Sequence, residues 1–189
     1  MAAVERMPQV TTRVVSPDGR GHRMNIRPET EADHAAVAEV TAAAFGKQDE
    51  ARLVEAIRAC DDFVPELTLV AEEEGRVVGH IMFSYSLLEG SPVKLLQLSP
   101  LSVAPGRQNA GIGSALTREG LRLADERGEP LVLVLGHPTY YPRFGFRPAS
   151  TLGLEAPNPE WPDEAFMALP LRAYDSTLRG RVRFATPFD

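Results

Sequence analysis

Residues 99–116, reading SPLSVAPGRQNAGIGSAL, constrain this chain more than any other stretch. Leu95, Leu96, Leu98, Leu101 and Val103 form an apolar run that suits a buried strand. Ala104, Pro105 and Gly106 interrupt it. A polar turn, Arg107-Gln108-Asn109-Ala110, leads into Gly111-Ile112-Gly113, after which the spacing predicts a helix. A strand that feeds a glycine-rich turn opening a helix is a place to hold an anion. The first backbone N–H groups of a helix lack intrahelical partners, and the helix dipole adds partial positive charge there. Glycines remove the Cβ atoms that would hold phosphate oxygens at a distance.

The spacing of this turn selects among phosphate loops. The Walker pattern needs Lys-Ser/Thr after its last glycine, and Ser114-Ala115 does not supply it. The dinucleotide fingerprint needs a small residue where Leu116 stands. Gln108, Gly111 and Gly113 do meet the pattern Gln/Arg-x-x-Gly-x-Gly/Ala, although so short a pattern also fits an ordinary strand-to-helix turn. A second stretch, Pro138 to Phe146, reads PTYYPRFGF. Together the two resemble the GCN5-related N-acetyltransferase (GNAT) family. Its pyrophosphate loop carries the first pattern, and an aromatic-Tyr-x-x-x-Gly-Phe signature follows the next strand, matched here by Tyr140, Tyr141, Gly145 and Phe146. The wider run VLGHPTYYPRFGFRPAS, with Trp161 to Met167, is similar to the YhbS-like subgroup. The resemblance spans roughly residues 22–172.

Composition bounds the alternatives. The chain has 189 residues, 43% hydrophobic, enough for one soluble domain with a full core. With 20 basic and 26 acidic residues the net charge is −6, and no long basic block exists, so sequence-independent nucleic-acid binding is not expected. Cys60 is the only cysteine, which excludes an intrachain disulfide and a cysteine-based zinc site. No apolar run reaches the ~20 residues that span a bilayer. No signal pattern opens the chain, so the expected compartment is the cytoplasm.

In order, the pattern predicts strands over 10–15 and 24–27 joined by the turn Ser16-Pro17-Asp18-Gly19, after a flexible tail. Thr30, with Asp33, caps a helix whose Val37, Val40 and Ala44 share a face and which Gly46 ends. A helix over 49–59 is expected to bury Leu53, Val54 and Ile57. Strands over 67–72, 76–88 and 93–103 follow one another antiparallel. A helix over 111–127 faces the sheet with Ile112, Leu116 and Leu123. The unbroken apolar run 131–135 is a strand parallel to the one before that helix, since strand-helix-strand needs a crossover. Strands are expected from 146–150 and over 166–171, with a proline-rich loop over 151–162 between them. A short edge strand is expected over 179–185.

The resemblance implies an α/β (α+β) GNAT fold: a mixed central sheet of six to seven strands with about four helices, in which a splayed parallel pair holds acetyl-CoA. It divides the chain into an N-terminal extension over 1–21, an acetyltransferase domain over 22–172 and a C-terminal extension or edge strand over 173–189. In the family the pantetheine arm lies in the splay, so an amide of Leu101, Ser102 or Val103 would polarise the thioester carbonyl; Pro100 and Pro105 cannot donate. Arg107, Gln108, Asn109, Ala110, Gly111, Ile112, Gly113 and Ser114 would hold the pyrophosphate. Tyr141 matches the general acid, and it also contacts the cofactor. The family asparagine between strand and short helix is missing from Gly136-His137-Pro138-Thr139. The general base stays open among Glu164, His80 and His137, or an ordered water, because the strand before the loop offers only Gln97 and Ser99. Segments 45–63 and 151–162 are expected to shape the acceptor side.

The implied activity is direct acetyl transfer, in a ternary complex, from acetyl-CoA to a primary amine. The acceptor would be an amine-bearing small molecule, or a lysine or N-terminus of a peptide or protein. Neither nucleic acid nor membrane is an expected partner, and a homodimer follows family habit. The alternative is a catalytically weak acyl-CoA-binding or sensing module of the same fold.

Overall fold

The computed structural model describes residues 10–15 and 21–184. The turn expected at 16–19 and the tail before residue 10 lie outside the described residues. Strands β1 (Val10–Val15) and β2 (Gly21–Pro28) pair antiparallel. Thr30 and Asp33 then form a capping box, Thr30 N donating to Asp33 Oδ2 at 2.8 Å, over a 3-10 turn that runs into α1 (His34–Phe45). Gly46, at φ 70°, ends α1 in the left-handed conformation that a Cβ disfavours. Helix α2 (Asp49–Arg58) follows. It buries Val54 and Ile57; Leu53 is only partly buried, because its side of the helix faces a cavity instead of the sheet.

Strands β3 (Leu69–Glu73), β4 (Arg76–Leu88) and β5 (Lys94–Val103) form the antiparallel meander that the sequence predicts. Helix α3 (Ile112–Arg127) crosses over to β6 (Leu131–Leu135), which pairs parallel with β5. The remaining strands are β7 (Arg147–Pro148), β8 (Leu154–Glu155), β9 (Phe166–Pro170) and β10 (Gly180–Arg183). The main path of the sheet runs β1-β2-β3-β4-β5-β6-β9-β7.

The mixed α/β architecture is as expected, but the sheet has ten strands among the described residues. The surplus comes from β1 and from short pieces. Residues 151–162 are not a plain loop, since a 3-10 turn ends at Leu152 and β8 follows. β10 is not a free edge: it pairs antiparallel with β4 and parallel with β8. Of the expected helices, the one at the aromatic signature is a 3-10 turn, Tyr141–Phe144, with Pro142 in its first turn.

Both faces of the sheet are covered. Ile81, Phe83, Leu96, Leu98, Val132 and Val134 meet Ile112, Leu116 and Leu123 of α3. Met82 and Val70 point the other way, onto Val37, Val54 and Ile57 of α1 and α2, as the two-residue period of a strand requires. Each such large side chain contributes about 1.5–3 kcal/mol by burial. Helix α3 lies close at Gly120, where a Cβ would stand 2.7 Å from Phe83 Cε2. A third cluster of Leu88, Leu95, Leu131, Leu133, Phe166 and Val182 closes the end held by β10. No helix among the described residues is long and apolar enough to cross a membrane.

Candidate active site

The site begins where two parallel strands part. β5 and β6 share the rungs Leu96–Val132, Gln97–Leu133 and Leu98–Val134, and there the pairing stops. Beyond it β5 stays with β4 to Val103, while β6 stays with β9, Gly136 N donating to Ala165 O at 2.9 Å. The wedge opens into a cavity of about 780 Å³, lined among others by Ser99, Pro100, Leu101, Val103, Leu135 and Gly136.

Strand register decides which amides face the wedge. Ala104 N donates to Val78 O at 2.9 Å. Amides alternate sides along an antiparallel strand, so that of Ser102 also faces β4, and those of Leu101 and Val103 face the opening. The Val103 carbonyl faces the same way and accepts from Gln108 Nε2 at 3.2 Å. The three-residue choice made from sequence therefore narrows to two. Ser102 drops out, and its hydroxyl is buried 3.1 Å from that of Thr41 in α1.

At the other wall α3 opens. Gly111, at φ 86°, is its N-cap, and the first bond across the cap is Ala115 N to Gly111 O at 2.9 Å. The amides of Ile112, Gly113 and Ser114 therefore have no carbonyl one turn back to bond. Gln108, Asn109, Gly111, Ile112, Gly113 and Ser114 line the cavity, whereas Ala110 is buried beneath the turn. Arg107 lines it too, with Nη2 2.6 Å from Glu73 Oε1. A Cβ on Gly113 would stand 2.9 Å from Tyr140 Oη, so only glycine admits that phenol beside the helix start. The Tyr140 hydroxyl is buried there and has no hydrogen-bond partner.

Tyr141 reaches the cavity from the 3-10 turn after β6. Its ring packs edge-on against Tyr140 and Phe146, at centroid separations of 5.0 and 5.5 Å. The residue is 8% exposed, and burial, with a smaller effect of Tyr140, pushes its phenol well above the ordinary tyrosine range. The phenol is therefore neutral at any physiological pH.

The three base candidates separate. His137 lines the cavity. Glu164 is exposed on the 3-10 turn before β9 and does not line it. His80 is wholly buried in β4, outside the cavity lining, with Nε2 3.4 Å from Glu29 Oε1, a carboxylate already paired with Arg58. Burial, then the Arg58 charge, lowers its pKa to about 3, so it is a neutral interior imidazole. A carboxylate that sequence reasoning missed, Glu50 in the first turn of α2, lines the cavity. Lone acids on amphipathic helices are commonly solvated, so no sequence signal marked it. On the acceptor side Ala44, Phe45, Glu50 and Leu53 line the cavity, and no residue of 151–162 does.

A second groove lies beyond the phosphate loop and shares Arg143 with the cavity. Its floor includes Leu121, Phe144, Leu169 and Leu171. The guanidinium carbons of Arg118 and Arg143 each lie 5.5 Å from the Phe144 ring centroid, and neither pairs with a carboxylate among the described residues.

An opened parallel strand pair beside a helix N-terminus is an arrangement suited to holding an extended, phosphate-bearing ligand by main chain. The family model described as the acetyltransferase (GNAT) domain matches residues 25–149. The chain belongs to the GNAT acetyltransferase family. Its curated relatives include the uncharacterized N-acetyltransferase YjhQ of Escherichia coli K12, 38% identical over 88% of this chain and 94% of that one. The uncharacterized N-acetyltransferase YhbS of the same strain is 30% identical over 83% and 92%. The crystal structure of E. coli YhbS in complex with CoA matches with a TM-score of 0.82 at 28% identity, covering 89% of this chain and 93% of that one. A GNAT acetyltransferase of Brucella melitensis in complex with acetyl-CoA matches with a TM-score of 0.74 at 36% identity, covering 89% and 99%.

Proposed function

We propose that this protein transfers the acetyl group of acetyl-CoA directly to a primary amine, both substrates being bound at once. The observation that carries this reading is the single cavity into which the parted strands, the opening of α3 and Tyr141 all face. The residues fit the cosubstrate: Gly111 faces open space beside a cradle of unbonded amides, and the wedge offers strand amides for an amide-bearing arm. Acetyl-CoA brings a thioester carbonyl and a thiolate leaving group.

The remaining work falls to this chain. The amides of Ile112, Gly113 and Ser114 hold the pyrophosphate, and those of Leu101 and Val103 bind the arm and polarise the carbonyl. The Tyr141 phenol gives its proton to the departing sulfur. Glu50 or His137 takes the proton from the attacking ammonium, directly or through one water. Arg118 and Arg143 receive the 3′-phosphate at the nucleotide end. A cytoplasmic setting agrees with the free thiol of Cys60.

Calorimetric titration with acetyl-CoA, followed by a free-thiol assay over an amine panel, tests this. One-to-one binding with amine-dependent thiol release is expected. Binding with no release above buffer hydrolysis would leave only an acyl-CoA-binding module.

A further inference from the structure

The acceptor end of the cavity has a composition of its own. Phe45 and Leu135 line it at 43% and 41% exposure, two of the four large apolar side chains left exposed among the described residues. Leu53 and Ala44 continue the apolar wall. Among the described residues Glu50 is the only carboxylate in the lining, whose other charged members are Arg107 and Arg143. Its Oε1 lies 3.1 Å from Lys47 Nζ, but its Oε2 is buried without a hydrogen-bond partner among the described residues. A desolvated carboxylate oxygen left unpaired is costly and calls for a donor.

From this arrangement, and resting on the acetyltransferase reading above, we propose that the acceptor is a small primary monoamine with an apolar body. Its ammonium group is held by Glu50, and its hydrocarbon or aromatic part lies between Phe45, Leu53 and Leu135. A single carboxylate matches a single cation. Polyamines and aminoglycosides carry several charges, which would have to be desolvated beside apolar walls. The net charge of −6 thus misleads as a guide to the acceptor, because the acid is spread over the surface while the cavity holds one carboxylate. Glu50 first takes one proton from the ammonium, and the free amine nitrogen then forms its bond to the acetyl carbon; as the C–S bond breaks Tyr141 protonates the sulfur, and the second proton leaving the nitrogen restores the phenol through water.

The test is a panel of 2-phenylethylamine, hexylamine, spermidine, kanamycin and a lysine-containing peptide, compared by kcat/KM at fixed acetyl-CoA. The two apolar monoamines should exceed the others by at least about tenfold, the discrimination that apolar burial against charge desolvation supplies. Glu50→Gln should raise the monoamine KM about tenfold or more, the loss of a charge-assisted hydrogen bond, with the acetyl-CoA Kd unchanged. A polycation or the peptide as best acceptor, equal rates across the panel, or an unchanged amine KM in Glu50→Gln would each overturn the proposal. Acetyl-CoA binding with no accepted amine would overturn it as well. Absence of acetyl-CoA binding would instead sink the acetyltransferase reading beneath it.

Discussion

The Tyr141 ring lies directly over the Cα of Gly136: a Cβ built there would stand 2.3 Å from Tyr141 Cε2. The last residue of the wedge wall and the Tyr141 ring are therefore fitted to each other. Gly136→Ala must push the ring out of its place between Tyr140 and Phe146. It should cost about 1–3 kcal/mol of stability, as overpacking does, and lower kcat together with it. Thermal melting and steady-state rates on the same preparation check this; an unchanged kcat would separate Tyr141 from the chemistry.

Tyr141→Phe keeps the ring and removes the proton. The expected outcome is a fall in kcat of about a hundredfold, the usual contribution of a positioned acid, with the acetyl-CoA Kd nearly unchanged. Burial raises the Tyr141 pKa above the ordinary value of 10, so the neutral form persists past that pH. The wild-type rate should accordingly show no loss from phenol ionisation between pH 8 and pH 10. A decline in that interval that disappears in Tyr141→Phe would contradict the raised pKa.

His80 acts on stability. Its folded pKa, near 3, lies below the ordinary 6.5, so on acidification the unfolded chain takes up a proton that the folded chain refuses. The contribution is present above pH 6.5 and is lost as pH falls toward 3, at up to about 1.4 kcal/mol per pH unit. Urea unfolding at pH 7, 6, 5 and 4 should show a steeper acid loss in the wild type than in His80→Gln. Parallel curves would mean that His80 is not the group responsible.

Arg118 and Arg143 flank Phe144, and neither pairs with a carboxylate among the described residues. The wild type should bind CoA about tenfold or more tightly than 3′-dephospho-CoA, in line with charge-assisted phosphate contacts. In the double variant Arg118→Ala with Arg143→Ala that preference should vanish, while dephospho-CoA binds as before. Calorimetry with the two ligands reads the difference directly.

Much of the frame was legible because it depends on periodicity and punctuation. Gly46, Gly111 and Gly128 stand at helix ends in left-handed conformations, as their positions in the pattern imply. The apolar run of β6 marked a strand covered on both faces. Strand β8 was illegible, and of β7 and β10 only the position was legible and not the partners, because pieces of two to four residues carry no period and owe their existence to partners far along the chain. In the site, the loop and Tyr141 carry spacing signals, whereas Glu50 does not. What sets Glu50 apart is tertiary: α2 turns it into a cavity whose opposite wall is built more than forty residues later. The histidines illustrate the converse, since chemistry alone cannot tell exposed His137 from His80, sealed within β4.

The parting of β5 from β6 after Leu98 and Val134 has a consequence for how the protein can change. A binding slot made by leaving rungs out of a ladder is written in strand paths, and exchanging side chains there neither adds nor deletes its donors unless the newcomer is proline. On the reading proposed above, the acceptor end is written instead in side chains, those of Ala44, Phe45, Glu50, Leu53 and Leu135. The two halves of one cavity are thus encoded in different alphabets. On that reading, redesigning this protein for a new amine is a matter of a few positions on α1 and α2 and of Leu135, and it leaves the strand amides untouched.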